Sequence, residues 1–280
     1  MVRFTIAFNQ NKIIIQAPNS LAEEIQNNVF SAAIRKDNTL GEDYKIIQEN
    51  TVFQLEYNQQ VLVRSSDPAK ILYVLEWNIV DNLIAQSNQY FQFHGAALTF
   101  LGQAYLFVGG PGLGKTSLAV LLARHGFNIL SDEVGLVSPK DFTVHPFPRN
   151  LIIKPHLKTV INVPQNRQPL MIDRNDNGQE TAWFLSPKYF KPDNDLRARQ
   201  LSKIFLLESV PGRTFKIEKA GHHQSFNALM EQFFNAARMK DSYEKLVRLV
   251  QKIPFYTLGL SRPLLFGNEI CQSLKKQLSE

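Results

Sequence analysis

The segment from Gly109 to Ser117 has the residue types and the spacing that a phosphate-binding loop needs. It reads Gly109-Gly110-Pro111-Gly112-Leu113-Gly114-Lys115-Thr116-Ser117, which fits the Gly-x4-Gly-Lys-Thr pattern of a P-loop. Glycines let successive backbone N–H groups point at one phosphate, and the helix expected after the loop adds the positive end of its dipole. We therefore predict that this segment binds a nucleotide, with Lys115 on the β- and γ-phosphates and Thr116 on Mg²⁺.

Two adjacent carboxylates, Asp132 and Glu133, follow an apolar strand predicted over 127–130. Strand, loop, helix and strand in this order form a right-handed βαβ unit, so the second strand should end at the same sheet edge as the loop. A carboxylate there can bind Mg²⁺, or it can take or orient the proton of an attacking nucleophile. Neighbouring residues of an extended strand point to opposite faces, so the two cannot have the same role unless the strand has already ended. The spacing does not say which has which.

His94 is the third residue that we place at this edge. The apolar runs 96–100 and 104–108 predict a hairpin around Gly102, in which Phe100 faces Ala104 and His94 faces Gly110. An imidazole beside the loop would bind a phosphate oxygen or polarise the acidic residue. Arg149, held between Pro148 and Asn150, is predicted to clamp a phosphate or an acidic substrate, although an ordinary surface arginine fits the sequence as well.

The elements around these residues predict two domains, an N-terminal α+β region over 1–90 and a catalytic α/β domain over 91–280. Strands are predicted over 2–8, 12–17, 44–48, 52–57 and 60–64, and a helix from Pro68 to about residue 89. A helix over 117–125 is expected to end at Gly126. Further strands are predicted over 134–138, 151–154, 201–207, 213–219 and 256–260, and helices over 226–238, 243–253 and 268–278. Residues 167–180 are predicted to form a mobile loop, and Trp77 and Trp183 to be packing residues.

Composition narrows the function classes. Of 280 residues, 44% are hydrophobic and 20% charged, which is ordinary for a globular protein. A single cysteine, Cys271, excludes an intrachain disulfide and a cysteine-built metal site, and the pair His222-His223 is a poor metal site by itself. The net charge of +6 comes from scattered basic residues, so nucleic-acid binding is not expected. No secretory signal and no apolar run of about 18 residues is present, so we expect a cytoplasmic protein that does not bind a membrane.

The stretch 94–137 resembles the kinase domain of the HPr kinase/phosphorylase family. The resemblance is carried by His94-Gly95-Ala96-Ala97, the P-loop, and Ser131-Asp132-Glu133 closing the next strand. It is strongest to the shorter family members that keep only the catalytic half, including kinases that phosphorylate a serine of a lasso-peptide precursor. It implies an α/β fold with a P-loop kinase core, of the type shared by HPr kinase and phosphoenolpyruvate carboxykinase.

By the same resemblance, ATP and Mg²⁺ are the cofactors, Lys115 and Thr116 hold them, Asp132 is the base, His94 supports it, and Glu133 binds the metal. Two departures separate the chain from the bifunctional enzymes: Glu133 replaces the second aspartate of an acidic pair, and a later Gly-Arg-Asn-Leu signature is absent. Phosphorolysis and HPr itself are therefore not carried over.

The leading hypothesis is a kinase acting on a Ser or Thr hydroxyl of a peptide or small protein, as a monomer or a homo-oligomer. A small-molecule hydroxyl kinase and a non-catalytic nucleotide-binding regulatory module are the alternatives. The region 1–90 is a candidate for binding the acceptor.

Overall fold

The protein is a mixed α/β structure. The computed structural model describes residues 1–8, 11–31, 34–35, 43–147, 149–163, 170–174, 178–211, 215–261 and 267–279. The strands are β1 (Val2–Phe8), β2 (Asn11–Ala17), β3 (Ile34–Arg35), β4 (Tyr44–Glu49), β5 (Val52–Tyr57), β6 (Gln60–Ser65), β7 (Phe91–Phe100), β8 (Gln103–Val108), β9 (Asn128–Ser131), β10 (Val134–Val137), β11 (Thr143–His145), β12 (Leu151–Ile153), β13 (Leu170–Arg174), β14 (Gly178–Leu185), β15 (Arg199–Ser209), β16 (Phe215–Lys219) and β17 (Phe255–Leu260). The helices are α1 (Asn19–Glu24), α2 (Pro68–Ala85), α3 (Lys115–Arg124), α4 (Lys158–Ile161), α5 (Pro187–Phe190), α6 (His222–Glu231), α7 (Ser242–Lys252) and α8 (Gly267–Ser279), with a π-helical turn at Ile25–Val29 and a 3₁₀ turn at Pro155–Leu157.

The chain is divided into two compact units. The first comprises Met1–Ser87 and Pro148–Ser186, and the second comprises Asn88–Phe147 and Pro187–Glu280. The predicted boundary at residue 90 differs from this division, because it assigned 148–186 to the catalytic domain. That segment lies in the first unit, where β13 packs against α2 and the Asn150 N–H donates to the Val29 carbonyl at 3.0 Å.

The first unit is built on a six-stranded sheet in the order β3-β1-β2-β4-β5-β6. The bounds of its longer strands agree closely with the predicted ones. The alternation behind the prediction is present, because Phe4, Ile6 and Phe8 are buried on one face of the sheet. Helix α2 begins at Pro68 as expected, with the Asp67 carboxylate accepting from the Ala69 N–H at 2.9 Å, and it ends at Ala85 rather than near residue 89.

Two predictions in the first unit are wrong. Leu170–Arg174 and Gly178–Leu185 form antiparallel strands, where a mobile loop was expected over 167–180; residues 167–169 and 175–177 lie outside the described part of the chain. Ladder hydrogen bonds here outweigh the polar composition, because strand propensity depends strongly on context. Trp183 is buried as expected, but Trp77 is 54% exposed on the outer side of α2.

The second unit is built on an eight-stranded sheet. The strands follow the order β11-β10-β7-β8-β15-β17-β16, and β9 pairs with β7. Because β8 and β9 both run antiparallel to β7, they are parallel to each other, as the predicted βαβ unit requires. Helix α3 makes the crossover and ends at Arg124, and Gly126, two residues later, has the predicted left-handed conformation with a φ of 98°.

The hairpin of β7 and β8 is one residue out of the predicted register. Phe100 pairs with Gln103 and Gly95 with Val108, because the turn consists of Leu101 and Gly102 alone. Both have positive φ, 48° and 79°, which is the backbone of a two-residue type I′ turn. Strand β7 also begins earlier than expected, at Phe91, so His94 lies within the strand.

The C-terminal elements differ from their predictions in two places. The strands predicted over 201–207 and 213–219, which the spacing at Pro211-Gly212 suggests are joined directly, are not neighbours, because β17 pairs between β15 and β16; Gly212 lies outside the described residues. The helix predicted over 226–238 begins at His222 and ends at Glu231. Cys271 is buried on α8, and burial raises the pKa of its thiol to about 11. In the described part of the chain, no helix is long and apolar enough to cross a membrane.

Candidate active site

The glycine loop follows directly from β8 and leads into α3. Gly114 has a φ of 88°, a left-handed conformation that favours glycine, and its carbonyl accepts the first helical bond from the Leu118 N–H at 2.8 Å. At Gly109, an added Cβ would lie 3.0 Å from the Leu207 Cβ, so the loop passes close to β15. The loop therefore has the strand–loop–helix setting that a P-loop needs.

Lys115 lies inside this loop. Its ammonium donates to the Gly109 carbonyl at 2.7 Å and to the Gly110 carbonyl at 3.0 Å, and the residue is buried. In this position the ammonium could bind the β- and γ-phosphate oxygens of a nucleotide held by the loop.

Thr116 and Asp132 meet at the start of α3. The Thr116 hydroxyl donates to the Asp132 Oδ2 at 3.2 Å, and Asp132 is 6% exposed. A hydroxyl and a carboxylate are the oxygen ligands that Mg²⁺ accepts alongside substrate phosphates, so the residues present fit the predicted ion. Within the described residues, no group of three or more His, Cys, Asp or Glu could hold a metal by itself, and His222 and His223 are exposed.

Glu133 is directed to a different partner. Its Oε1 lies 3.5 Å from the Nδ1 of His94, and its carbonyl accepts from the Gly95 N–H at 3.1 Å. His94 pairs with Val134 across β7 and β10, which places the imidazole beside the acidic pair. His94 thus lies beside the acidic residues, but its predicted place opposite Gly110 is wrong, because β8 leaves β7 at Val108 and the His94 N–H donates to the Gln232 carbonyl.

The environment of His94 favours the neutral imidazole. Burial lowers its pKa below 6.5, the nearby Lys115 lowers the pKa further, and Glu133 opposes both. A neutral imidazole can donate a hydrogen bond from one ring nitrogen and accept one at the other.

The turn between β9 and β10 separates the two carboxylates. The Ser131 hydroxyl accepts from the Glu133 N–H at 3.3 Å and from the Val134 N–H at 3.1 Å, which fixes this turn. Asp132 consequently faces Thr116 while Glu133 faces His94. The two side chains thus have different partners, and the assignment of a role to each stays a prediction.

Arg149 lies in the other unit. Its Nε is 2.6 Å from the Oε1 of Glu76, and both side chains are largely buried. The ion pair gives Arg149 a structural partner on α2, and its role toward substrate stays a prediction.

One part of the site was missed by sequence reasoning. Residues 232–235 follow α6 and pair with the start of β7, where the Phe234 ring lies edge-on to the His94 ring at 5.6 Å. The apolar spacing of 226–238 suggested that the helix continues, and no turn residue marks its end.

Comparison with known proteins agrees with the resemblance. Over 80 residues the chain is 31% identical to the HPr kinase/phosphorylase of Prosthecochloris aestuarii, which covers 29% of this chain and 22% of that protein. The chain thus spans about a fifth of the relative that it matches. The solved HPr(Ser) kinase/phosphatase of Coxiella burnetii aligns with 68% of this chain and 99% of its own, at 13% identity and a TM-score of 0.32. No profile of a protein family matches the chain. The resemblance to the HPr kinase/phosphorylase family is confirmed by the sequence match.

Proposed function

We propose that the protein is an ATP-dependent kinase that transfers the γ-phosphoryl group to a Ser or Thr hydroxyl of a peptide or small protein. The observation that carries this proposal is the joint placement of the glycine loop 109–117, a Thr116–Asp132 pair and a His94–Glu133 pair within one unit. The local similarity to HPr kinase/phosphorylase supports phosphoryl transfer and the choice of ATP. A ribosomally made precursor peptide is the acceptor that we favour.

The loop and Lys115 would bind the phosphates. Backbone N–H groups of 112–116 and the N-terminal end of α3 would face the β-phosphate, and the Lys115 ammonium would reach the β- and γ-phosphate oxygens. Thr116 and Asp132 would hold Mg²⁺, which neutralises charge that develops on those oxygens.

We propose the reverse of the roles that the family resemblance implied for the two carboxylates. Asp132 is buried and hydrogen-bonded to Thr116, so it belongs to the metal side. The Glu133 side chain is 40% exposed and lies beside His94, so it is the group that an incoming hydroxyl can reach. Glu133 is thus the proposed base, and His94 is a residue that positions it.

The transfer step balances with these groups. The acceptor oxygen forms a bond to the γ-phosphorus as the bond from that phosphorus to the β–γ bridging oxygen breaks. ADP leaves with the electron pair, and the hydroxyl proton moves to Glu133. The second unit is the proposed catalytic core, of the P-loop type seen in HPr kinase, and the first unit is proposed to bind the acceptor.

A transfer assay tests the proposal. The protein is incubated with Mg²⁺ and γ-labelled ATP, and with the small proteins and precursor peptides encoded beside its gene. We expect label on one acceptor, none with Lys115→Ala, and full transfer with Tyr243→Ala, an exposed aromatic control on α7. Tight ATP binding without label on any acceptor would contradict the proposal.

A further inference from the structure

The segment Gln232–Asn235 extends the sheet next to the proposed acceptor site. Strand β8 leaves β7 at Val108, which pairs with Gly95, so the earlier residues of β7 do not pair with β8. Phe233 fills the position opposite Phe93. The His94 N–H donates to the Gln232 carbonyl, and the Phe234 N–H to the Gln92 carbonyl, both at 2.8 Å. This segment thus occupies the sheet position that β8 leaves when it turns into the P-loop.

Side chains along Gln232–Asn235 alternate between the two faces of the sheet, so Phe233 and Phe234 lie on opposite faces. The Phe233 ring is buried against Phe91 and Phe93, at 5.4 and 5.3 Å between ring centroids. Phe234 points to the opposite face, the face of His94, and is 47% exposed. A large aromatic ring is therefore presented to solvent beside the His94–Glu133 pair.

The backbone beneath Phe234 is firmly held. The buried side chain of Asn235 accepts from the Gln92 N–H at 3.2 Å and donates to the Tyr90 carbonyl at 3.0 Å. A ring that is exposed on such a rigid support loses little conformational entropy when a ligand covers it, which is typical of binding hot spots.

We infer that Phe234 is a specificity-determining residue that contacts an apolar side chain next to the acceptor Ser or Thr. The inference rests on the proposed function. The acceptor is favoured over the adenine base because Phe234 packs on His94, which faces the proposed base Glu133, whereas the phosphate-binding groups Lys115 and Thr116 face the loop and Asp132. The acceptor class is then a peptide segment with an aliphatic or aromatic residue adjacent to its Ser or Thr.

A positional-scanning library of nonapeptides with a fixed central serine tests this inference with Mg²⁺-ATP. We expect the wild-type protein to select apolar residues beside the serine. Phe234→Ala should lose that selection and raise the KM for the best peptide about tenfold, with kcat and ATP affinity within about twofold of wild type. Phe234→Leu should keep most of the selection, and Tyr243→Ala should match wild type.

The outcomes separate the two proposals. Unchanged selection and KM in Phe234→Ala would overturn the inference and leave the kinase proposal standing. Weaker ATP binding with an unchanged peptide KM would overturn it in favour of base stacking by Phe234. If the wild-type protein labels neither the peptides nor the neighbouring gene products more than Lys115→Ala does, the proposed function is overturned, and the inference with it.

Discussion

At the scale of single residues, the short turn after β9 explains how two adjacent carboxylates take separate partners. Ser131 fixes the turn through its hydroxyl, so Asp132 reaches the hydroxyl of Thr116 and Glu133 reaches the ring of His94. The prediction that the two side chains point apart assumed an extended strand, but β9 ends at Ser131, so the turn and not strand alternation separates them. The sequence could not indicate which residue faces which partner, because that depends on the turn.

Neutralising each carboxylate should have different effects. Glu133→Gln removes the proposed base and should lower kcat about a thousandfold while ATP affinity stays within about twofold. Asp132→Asn should instead raise the Mg²⁺ concentration needed for half-maximal rate by about tenfold or more. Rates measured across a Mg²⁺ titration check both, and a Mg²⁺ requirement shifted by Glu133→Gln alone would reverse the assignment.

The pKa of His94 predicts the acidic side of the pH–rate profile. Because burial and Lys115 lower the pKa of His94 from its ordinary value, the neutral ring persists at neutral pH, and the rate should fall as the pH drops through that lowered pKa. Protonated His94 would pair with Glu133 and weaken it as a base. In His94→Gln, this part of the profile should disappear from kcat, measured between about pH 5 and pH 8. An acid limb that is identical in the variant would exclude His94 as its source.

At the scale of elements, β7 organises the site. It carries His94, pairs with β8 ahead of the glycine loop, and pairs on its other side with β9 and β10, which flank the acidic pair. The glycine after His94 is needed for this packing, because a Cβ at Gly95 would lie 2.8 Å from the Phe107 carbonyl oxygen.

Gly95→Ala is accordingly expected to destabilise the protein by about 1–3 kcal/mol, since the strand backbone must move. Gly221→Ala is the matched control, because nothing lies within 4 Å of a Cβ there and its φ is an ordinary −76°. Urea unfolding of both variants checks this. Equal stabilities for the two would show that β7 and β8 adjust without cost.

Most elements near the site could be predicted because their signals are local. The apolar strand, the glycine loop after it and Gly126 after α3 each predict one element or boundary of the βαβ unit. The hairpin register was missed by one residue because Leu101 adopts a positive φ, which is uncommon for leucine. The segment with Phe234 was missed because its place is set by hydrogen bonds to β7, far away in sequence.

At the scale of the whole molecule, the chain returns to its first unit for residues 148–186. Sequence reasoning could not find this return, because no composition change marks 148 or 186 and the contacts are long-range. The return explains the place of Arg149, whose partner Glu76 lies on α2 of the same unit.

We expect Arg149→Ala to lower the free energy of unfolding by about 3 kcal/mol, because it leaves a buried carboxylate without this partner. The double variant Arg149→Met/Glu76→Leu should recover much of that loss, and Arg64→Ala, an exposed arginine, should change stability by less than about 0.5 kcal/mol. Denaturant unfolding measures all three. Full stability in Arg149→Ala together with a raised KM for the acceptor would favour the substrate role instead.

The central claim is that the glycine loop and the His94–Glu133 pair form one phosphotransfer site. Intact-mass spectrometry of an acceptor incubated with Mg²⁺-ATP and the wild-type protein tests it most directly, with Lys115→Ala as the blank. We predict a gain of ~80 Da on one Ser or Thr, absent in the blank and strongly slowed in Glu133→Gln. An acceptor that gains the same mass at the same rate with Lys115→Ala, or a protein that binds ATP and modifies no acceptor, would contradict it.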